Sequence, residues 1–387
     1  MATAAGEGDG SNNTSSTVST SSSAAAAAVS EASSSMSLPS LPSLSAALTN
    51  SFHLAHVTTL CPPSMSPSSA AAAVAAAASD GLVVVARPAA VSFHDASTME
   101  ATASTSGAED AACGAGSVKC VAAAELHGGR FAAVTGHQDG RLRLWRASLR
   151  SPGRLRLAAA LPTVSDRIRR FPVPSNHVAV RRHHRRLWIE HADAVSGIDA
   201  SPDGRLLFSV SWDKTLKVWS VPSLRCVQSL TAHDDAVNAV AVAPDGAVYT
   251  ASADRRVRVW APADAAPRRP GKRPAAYHLV ATLSRHAAAV NAVAVGCGGH
   301  VLYSGGNDRC VVTVRAWRRA ADGGGYACVA VIDGHGGAVR SVAAAAIVPA
   351  QKKKHRAVDG DGEEWSVCSA SFDGEVRLWS LRVAAAS

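Results

Sequence analysis

Aromatic residues fill only 5% of the 387 positions and charged residues only 18%, so little of the chain is a charged tail or an aromatic-rich core. No apolar run approaches the ~20 residues of a membrane-crossing helix. The longest, Ala70–Ala78, is alanine with a single valine. The first residues carry Glu7 and Asp9 and no basic cluster, and no arginine precedes Arg87. Both a secretory signal and an arginine-rich organelle leader are therefore unexpected. The eight cysteines include no C-x-x-C pair, which argues against a zinc site or a disulfide framework and for reduced thiols inside the cell. Also missing are G-x-S-x-G, a P-loop, a dinucleotide fingerprint and H-E-x-x-H. No catalytic residue, cofactor or metal is expected.

Charge divides what is present into two polymers. Residues 1–115 hold one arginine against eight acids, whereas residues 116–387 hold 38 basic and 22 acidic groups. Residues 1–50 are mostly Ser, Ala and Thr. They have too little apolar surface to offset ordering entropy, and a disordered tail is expected there. Either a passive tail or a phosphorylation-controlled arm, with Ser66-Pro67 as one site, fits this composition. The Ser/Thr/Ala stretch from Ala96 to Gly116 reads as a long loop.

The second part repeats itself. FAAVTGHQDGRLRLW (131–145), LLFSVSWDKTLKVW (206–219), VYTASADRRVRVW (248–260), VLYSGGNDRCVVTVRAW (301–317) and WSVCSASFDGEVRLW (365–379) share one frame. Each has an alternating strand, a polar turn with Asp, and a second strand ending in Trp. A hydroxyl sits four residues before every Asp: Thr135, Ser209, Thr250, Ser304 and Ser369. Four copies are preceded by a His that opens an apolar stretch, at His191, His233, His286 and His335.

His, Ser/Thr, Asp and Trp in this order resemble WD repeats, over roughly residues 51–382. The resemblance implies an all-β WD40 β-propeller with four-stranded blades. It also implies a polar chain inside each blade: His191/Ser209/Asp213/Trp219, His233/Thr250/Asp254/Trp260, His286/Ser304/Asp308/Trp317 and His335/Ser369/Asp373/Trp379. The repeat with Thr135, Asp139 and Trp145 lacks the preceding His and should cohere less well. Ser, His and Asp together resemble a catalytic triad, but four copies of the set argue for structure.

Too few residues follow Trp379 for a fourth strand. The resemblance supplies Ser51–Leu60, an alternating segment, to complete the last blade and protect its edge. Ala70–Ala78, Gly81–Arg87 and Ala90–His94 then form a degenerate blade without the polar set. Three extra residues after Asp308 leave open whether the fifth repeat joins halves of two blades. Six blades are favoured, with seven as the alternative.

The stretch LPTVSDRIRRFPVPSNHVAVRRHHRRLW (161–188), with SVSWDKTLKVW and HDDAVNAVAV, resembles the plant JINGUBANG-type WD-repeat family. That resemblance implies a cytoplasmic and nuclear interaction protein tied to plant development, pollen germination included, and partners that are other proteins, a transcription factor among them. The insert 161–190 holds Arg167, Arg169, Arg170, Arg181, Arg182, Arg185 and Arg186. Further basic loops are expected at 262–277 (Arg268, Arg269, Lys272, Arg273) and 350–364 (Lys352, Lys353, Lys354, Arg356). Solvated loops, nuclear import signals and nucleic-acid contact all fit such clusters. No stacking-aromatic pattern accompanies them, which disfavours nucleic acid.

Family contact positions, carried over, are Ser196, Asn238, Asn291 and Arg340 in the first strands. Gln138, Trp212, Ala253, Asn307 and Phe372 are their counterparts before the turn Asp. A large aromatic at a turn is unusual, so Trp212 and Phe372 stand out as partner anchors. The expected function is a non-enzymatic scaffold with no membrane or small-molecule substrate. A cullin-type ubiquitin-ligase receptor and an RNA-binding propeller are the alternatives. The first is weakened because Arg146, Ser220, Ala261, Arg318 and Ser380, never Asp, follow the repeat tryptophans.

Overall fold

In the computed structural model the chain divides into units 1–43 and 44–387. The structure describes residues 73–77, 82–86, 90–95, 101–105, 117–126, 130–147, 153–181, 184–263, 276–296, 299–308, 312–320, 325–345, 362–372 and 376–384, all in the second unit. The tail 1–50 and the closing segment Ser51–Leu60 lie outside the described residues.

Alternating strands separated by tight turns pair with their sequence neighbours, and the result is a series of antiparallel sheets. The first is β1 (Ala73–Ala77), β2 (Leu82–Ala86), β3 (Val91–Asp95) and β4 (Ala101–Ser104). The second is β5 (Val118–Leu126), β6 (Arg130–His137), β7 (Leu142–Ala147) and β8 (Leu155–Leu161). Helix α1 (Val164–Arg170) and a hairpin of β9 (His177–Arg181) and β10 (His184–Leu187) follow. The third blade is β11 (Val195–Ala200), β12 (Leu206–Ser211), β13 (Thr215–Ser220) and β14 (Arg225–Thr231). The fourth is β15 (Val237–Val242), β16 (Val248–Ser252), β17 (Val257–Pro262) and β18 (Tyr277–Leu283). The fifth is β19 (Val290–Gly296), β20 (Val301–Gly306), β21 (Val312–Arg319) and β22 (Tyr326–His335). The sixth has three strands among the described residues, β23 (Val339–Ala345), β24 (Gly362–Ser371) and β25 (Val376–Ala384).

The described residues form six blades, a number consistent with either the favoured count or its alternative. Two local expectations need correction, and two readings left open are decided. The stretch read as a loop, Ala96–Gly116, contains β4, which pairs with β3 through Phe93↔Ala103. Its residues are Ala, Thr, Ala and Ser, and no large apolar side chain marks them as strand. The fifth repeat does not join two blades: β20 and β21 pair antiparallel in one sheet, with Val301↔Arg318 and Gly305↔Val314. The 350–364 loop ends early, because Gly362–Glu364 extend β24 against β25. The insert 161–190 is no solvated loop either, since it folds into α1 and the hairpin.

The core lies between blades rather than within them. Each of five apolar clusters is shared by two consecutive sheets, from blades one and two through to blades five and six. The first strands pack in the same succession, β1 on β5, β11, β15, β19 and β23 in turn. Burial follows from this. Middle strands such as β12 and β20 are buried along their whole length, and fourth strands such as β18 are largely exposed. A strand covered on both faces has no room for extra volume. A Cβ at Gly136 on β6 would meet Cys120 Sγ at 2.5 Å and Val195 Cγ1 at 2.7 Å. Gly136→Val should overpack the junction of blades two and three and lower stability by about 1–3 kcal/mol, measured by urea unfolding.

Candidate protein-interaction surface

The repeated polar residues assemble inside the blades. In blade three, Trp219 Nε1 donates to Ser209 Oγ at 2.8 Å, His191 Nε2 lies 2.8 Å from the same hydroxyl, and His191 Nδ1 lies 3.1 Å from Asp213. Blade four repeats this with Trp260, Thr250, His233 and Asp254, and blade five with Trp317, Ser304, His286 and Asp308. In blade six Trp379 and His335 meet on Ser369, while Asp373 lies outside the described residues. A neutral imidazole satisfies every member: the indole donates to the hydroxyl, the hydroxyl to Nε2, and Nδ1–H to the carboxylate.

Blade two corrects an expectation. No His precedes its first strand, yet an imidazole is present. His137 on β6 lies 2.8 Å from Thr135 Oγ1, which accepts from Trp145 Nε1 at 2.8 Å. Other blades have Ser211, Ser252, Gly306 or Ser371 at this position. Any side chain at Gly306 would run into the incoming His286, its Cβ only 2.6 Å from Nδ1. Blade two supplies the ring from the strand where others leave room for it. Asp139 instead pairs with Arg143 at 2.9 Å. Blade one, expected to lack any polar set, places Ser92 Oγ 2.8 Å from His94 Nε2. Both rings sit two residues after their hydroxyl, a spacing different from that of a His preceding the first strand.

Burial, partly opposed by the aspartates, holds His191, His233 and His286 below the ordinary histidine range. Burial works to raise Asp213 and Asp254, but their hydrogen bonds with His191 and His233 and with backbone amides outweigh it and bring both carboxyls down. Burial pushes Asp199 the other way, up to about 6. It also pushes the Cys120 and Cys226 thiols up to about 12, so neither is a nucleophile near neutral pH. Among the described residues no group of three His, Cys, Asp or Glu could hold a metal ion.

The carried-over contact positions also share a geometry. In blades two to six the first strand carries a bulge that skips one residue: Lys119, Ser196, Asn238, Asn291 and Arg340. A bulge re-aims the skipped side chain. Ser196 donates to Val237 O, Asn238 to Val290 O at 2.9 Å and Asn291 to Val339 O at 3.0 Å. Each acceptor lies on the next blade, so these three donors already clasp neighbouring blades. Arg340 in the sixth blade lies over the Phe372 ring, 5.5 Å from its centroid.

The turn positions are equivalent too. Gln138, Trp212, Ala253, Asn307 and Phe372 each donate a backbone N–H to the residue just before the first strand of the blade. Their side chains differ in exposure. Trp212 is 44% and Phe372 66% exposed, both high for large aromatics in a strand-to-strand turn.

Of the basic insert, Arg182 and the side chain of Arg181 lie outside the described residues, as do most of both basic loops. Arg170 stacks on Trp188 at 4.5 Å and pairs with Asp166 at 3.1 Å. Arg167 pairs with Glu190 at 2.6 Å, and Arg186 donates to His191 O at 2.9 Å. Arg169 and Arg185 are exposed.

Residues 183–220, 224–261, 277–312 and 326–380, which include most strands of blades three to six, match the WD domain, G-beta repeat model. These segments carry WD repeats, and the chain folds as a β-propeller. It is 27% identical over 207 residues to Mitochondrial division protein 1 of Schizosaccharomyces pombe, covering 50% of this chain and 30% of that protein. Human Striatin-4 is 38% identical over 77 residues, covering 19% and 10%. Bovine Pre-mRNA-processing factor 19 is 35% identical over 74 residues, covering 19% and 14%. The chain thus spans less than a third of the length of these curated relatives. The β-propeller domain of Cps50 (Swd1) from Myceliophteria thermophila superposes with a TM-score of 0.54 at 12% identity, over 80% of this chain and 82% of that one. That likeness concerns the fold.

Two outcomes follow for the blade networks. His137→Ala, like His191→Ala, should destabilise by about 1–3 kcal/mol, because each removes a ring nitrogen hydrogen-bonded to a buried hydroxyl. Equilibrium unfolding of the two variants measures this. The second concerns acid. A histidine whose folded value is lowered stabilises fully above the unfolded 6.5, and that stability is lost as pH falls through 6.5 towards the folded value. The lowered Asp213 and Asp254 add losses below 3.8. Asp199 opposes them, since its contribution is present below 3.8 and lost as pH rises to about 6. Three histidines outweigh one aspartate, so the urea midpoint should fall steadily from pH 7.5 to pH 5.

Proposed function

We propose that this propeller is a non-enzymatic scaffold that binds other proteins through the turn face bearing Trp212 and Phe372. The observation that carries this reading is the pair of half-exposed aromatics on equivalent turns, the second under the Arg340 guanidinium. Folding gives such turns no use for a large ring, whereas aromatic and arginine side chains concentrate binding energy at protein interfaces. The repeated His–hydroxyl–Trp sets support the non-enzymatic part, because their side chains are consumed in holding blades together. The relatives' names refer to processes as different as mitochondrial division and pre-mRNA processing, which suits a fold that carries partners rather than one chemistry.

The finer reading rests on the basic insert and its resemblance to the JINGUBANG-type family. It is a plant developmental or signalling regulator of the pollen-germination type, working in cytoplasm and nucleus, with a transcription factor among its partners. Tagged full-length chain and its Trp212→Ala and Phe372→Ala variants, compared in partner pull-downs, test the interaction face. Each variant should lose about tenfold or more of partner recovery while keeping its unfolding midpoint. Undiminished recovery by both would refute this face.

A further inference from the structure

Helix α1 is inside out. Its inward side carries charge: Asp166 is buried and ion-paired with Arg170, which lies on Trp188 and reaches Cys226 O at 3.4 Å. Its outward side is apolar. Val164, Ile168 and the C-cap residue Phe171, spaced four and three apart, are 70%, 67% and 68% exposed. An amphipathic helix on a globular domain normally buries such a stripe.

This patch is built rigidly. Thr163 caps α1 through the Asp166 amide at 3.2 Å. Asn176 donates to Arg170 O at 3.0 Å, and the His177 ring meets the edge of Phe171 at 5.5 Å. Below, the buried Lys217 of blade three donates to Trp188 O at 2.6 Å and so ties the insert to the propeller. The stripe forms one wall of a cleft closed by Arg185–Leu187 of the hairpin and by the turn Asp139–Arg141 of blade two. Both acids at this cleft are already engaged, Glu190 by Arg167 and Asp139 by Arg143. Arg141 and Arg185 are exposed on its lips.

We infer that α1 and the hairpin form a second docking face, separate from the aromatic turns, for an acidic amphipathic segment of another protein. Its apolar side chains, at helical spacing, would cover Val164, Ile168 and Phe171, and its carboxylates would meet Arg141 and Arg185. A second copy is a poor occupant, because it would set arginines against arginines on a chain of net charge +9. Nucleic acid would use the arginines but leave the aliphatic stripe uncovered.

Panning a displayed library of random 16-residue peptides on the full chain tests this, with Ile168→Asp as a parallel bait. Peptides enriched on wild type should be rich in Asp and Glu, with apolar residues at three- and four-residue spacing. Labelled copies should bind Ile168→Asp and Arg141→Glu/Arg185→Glu at least tenfold more weakly by fluorescence anisotropy, and Trp212→Ala as tightly as wild type. Both stripe and lip positions face solvent, so unfolding midpoints should stay unchanged; Phe171→Ser repeats the test if Ile168→Asp fails to fold. No enrichment, enrichment of basic or uncharged peptides, or equal binding to the stripe variants overturns the proposal. So does displacement of the peptide by a single-stranded oligonucleotide as effective as unlabelled peptide.

Discussion

The hydrogen bond from an indole to a buried hydroxyl organises each of blades two to six, the indole itself being buried in blades two to five. Tryptophan serves two directions at once. Its ring fills the apolar junction with the preceding blade, as Trp145 does against blade one, Trp219 against blade two and Trp260 against blade three. Its N–H, 2.8–2.9 Å from Thr135, Ser209, Thr250, Ser304 or Ser369, ties the third strand to the second. Packing between blades and cohesion within them thus share one side chain. A buried N–H without a partner would be costly, so the hydroxyl and the imidazole behind it are conditions of the packing.

A second set of constraints works at the first strands. The bulge recurring in five blades turns one side chain per blade aside from the regular ladder. Where a following blade offers a carbonyl, Ser196, Asn238 and Asn291 take it. In the sixth blade the same position is Arg340, which turns to Phe372 instead. The same backbone irregularity thus carries an inter-blade clasp in blades three to five and an exposed cation–π pair in blade six.

Much of this was legible in the residues. Periodicity, the turn Asp and the terminal Trp located blades two to six, because each signal is a direct imprint of two-sided burial and a tight turn. GLVVVAR and AVSFH mark the degenerate blade, but nothing in the residues of β4 marks it as a strand. A strand of Ala, Thr and Ser buries one small side chain and leaves no apolar alternation to read. His137 stands inside FAAVTGHQDG, but its role is not legible from repeat spacing, because its imidazole comes from the strand itself rather than from a preceding loop. The helix of the insert was hidden by polarity: its apolar residues face out, and the ion pair and arginine stack that hold it are visible only in three dimensions. The clasping role of Asn238 and Asn291 depends on a neighbour that sequence spacing does not name.

The position of His137 also changes how its blade comes together in time. In blades three to five the imidazole reaches its hydroxyl from 17 or 18 residues upstream, and in blade six from 34. A connecting segment must close on a finished hairpin before those networks are complete, and loop closure carries an entropy that grows with its length. In blade two the imidazole is two residues from Thr135, and Trp145 is ten. Indole, hydroxyl and ring all belong to the single hairpin of β6 and β7. Of the networks that contain a tryptophan, that of blade two is the most local in sequence, closed within one hairpin without a connecting segment.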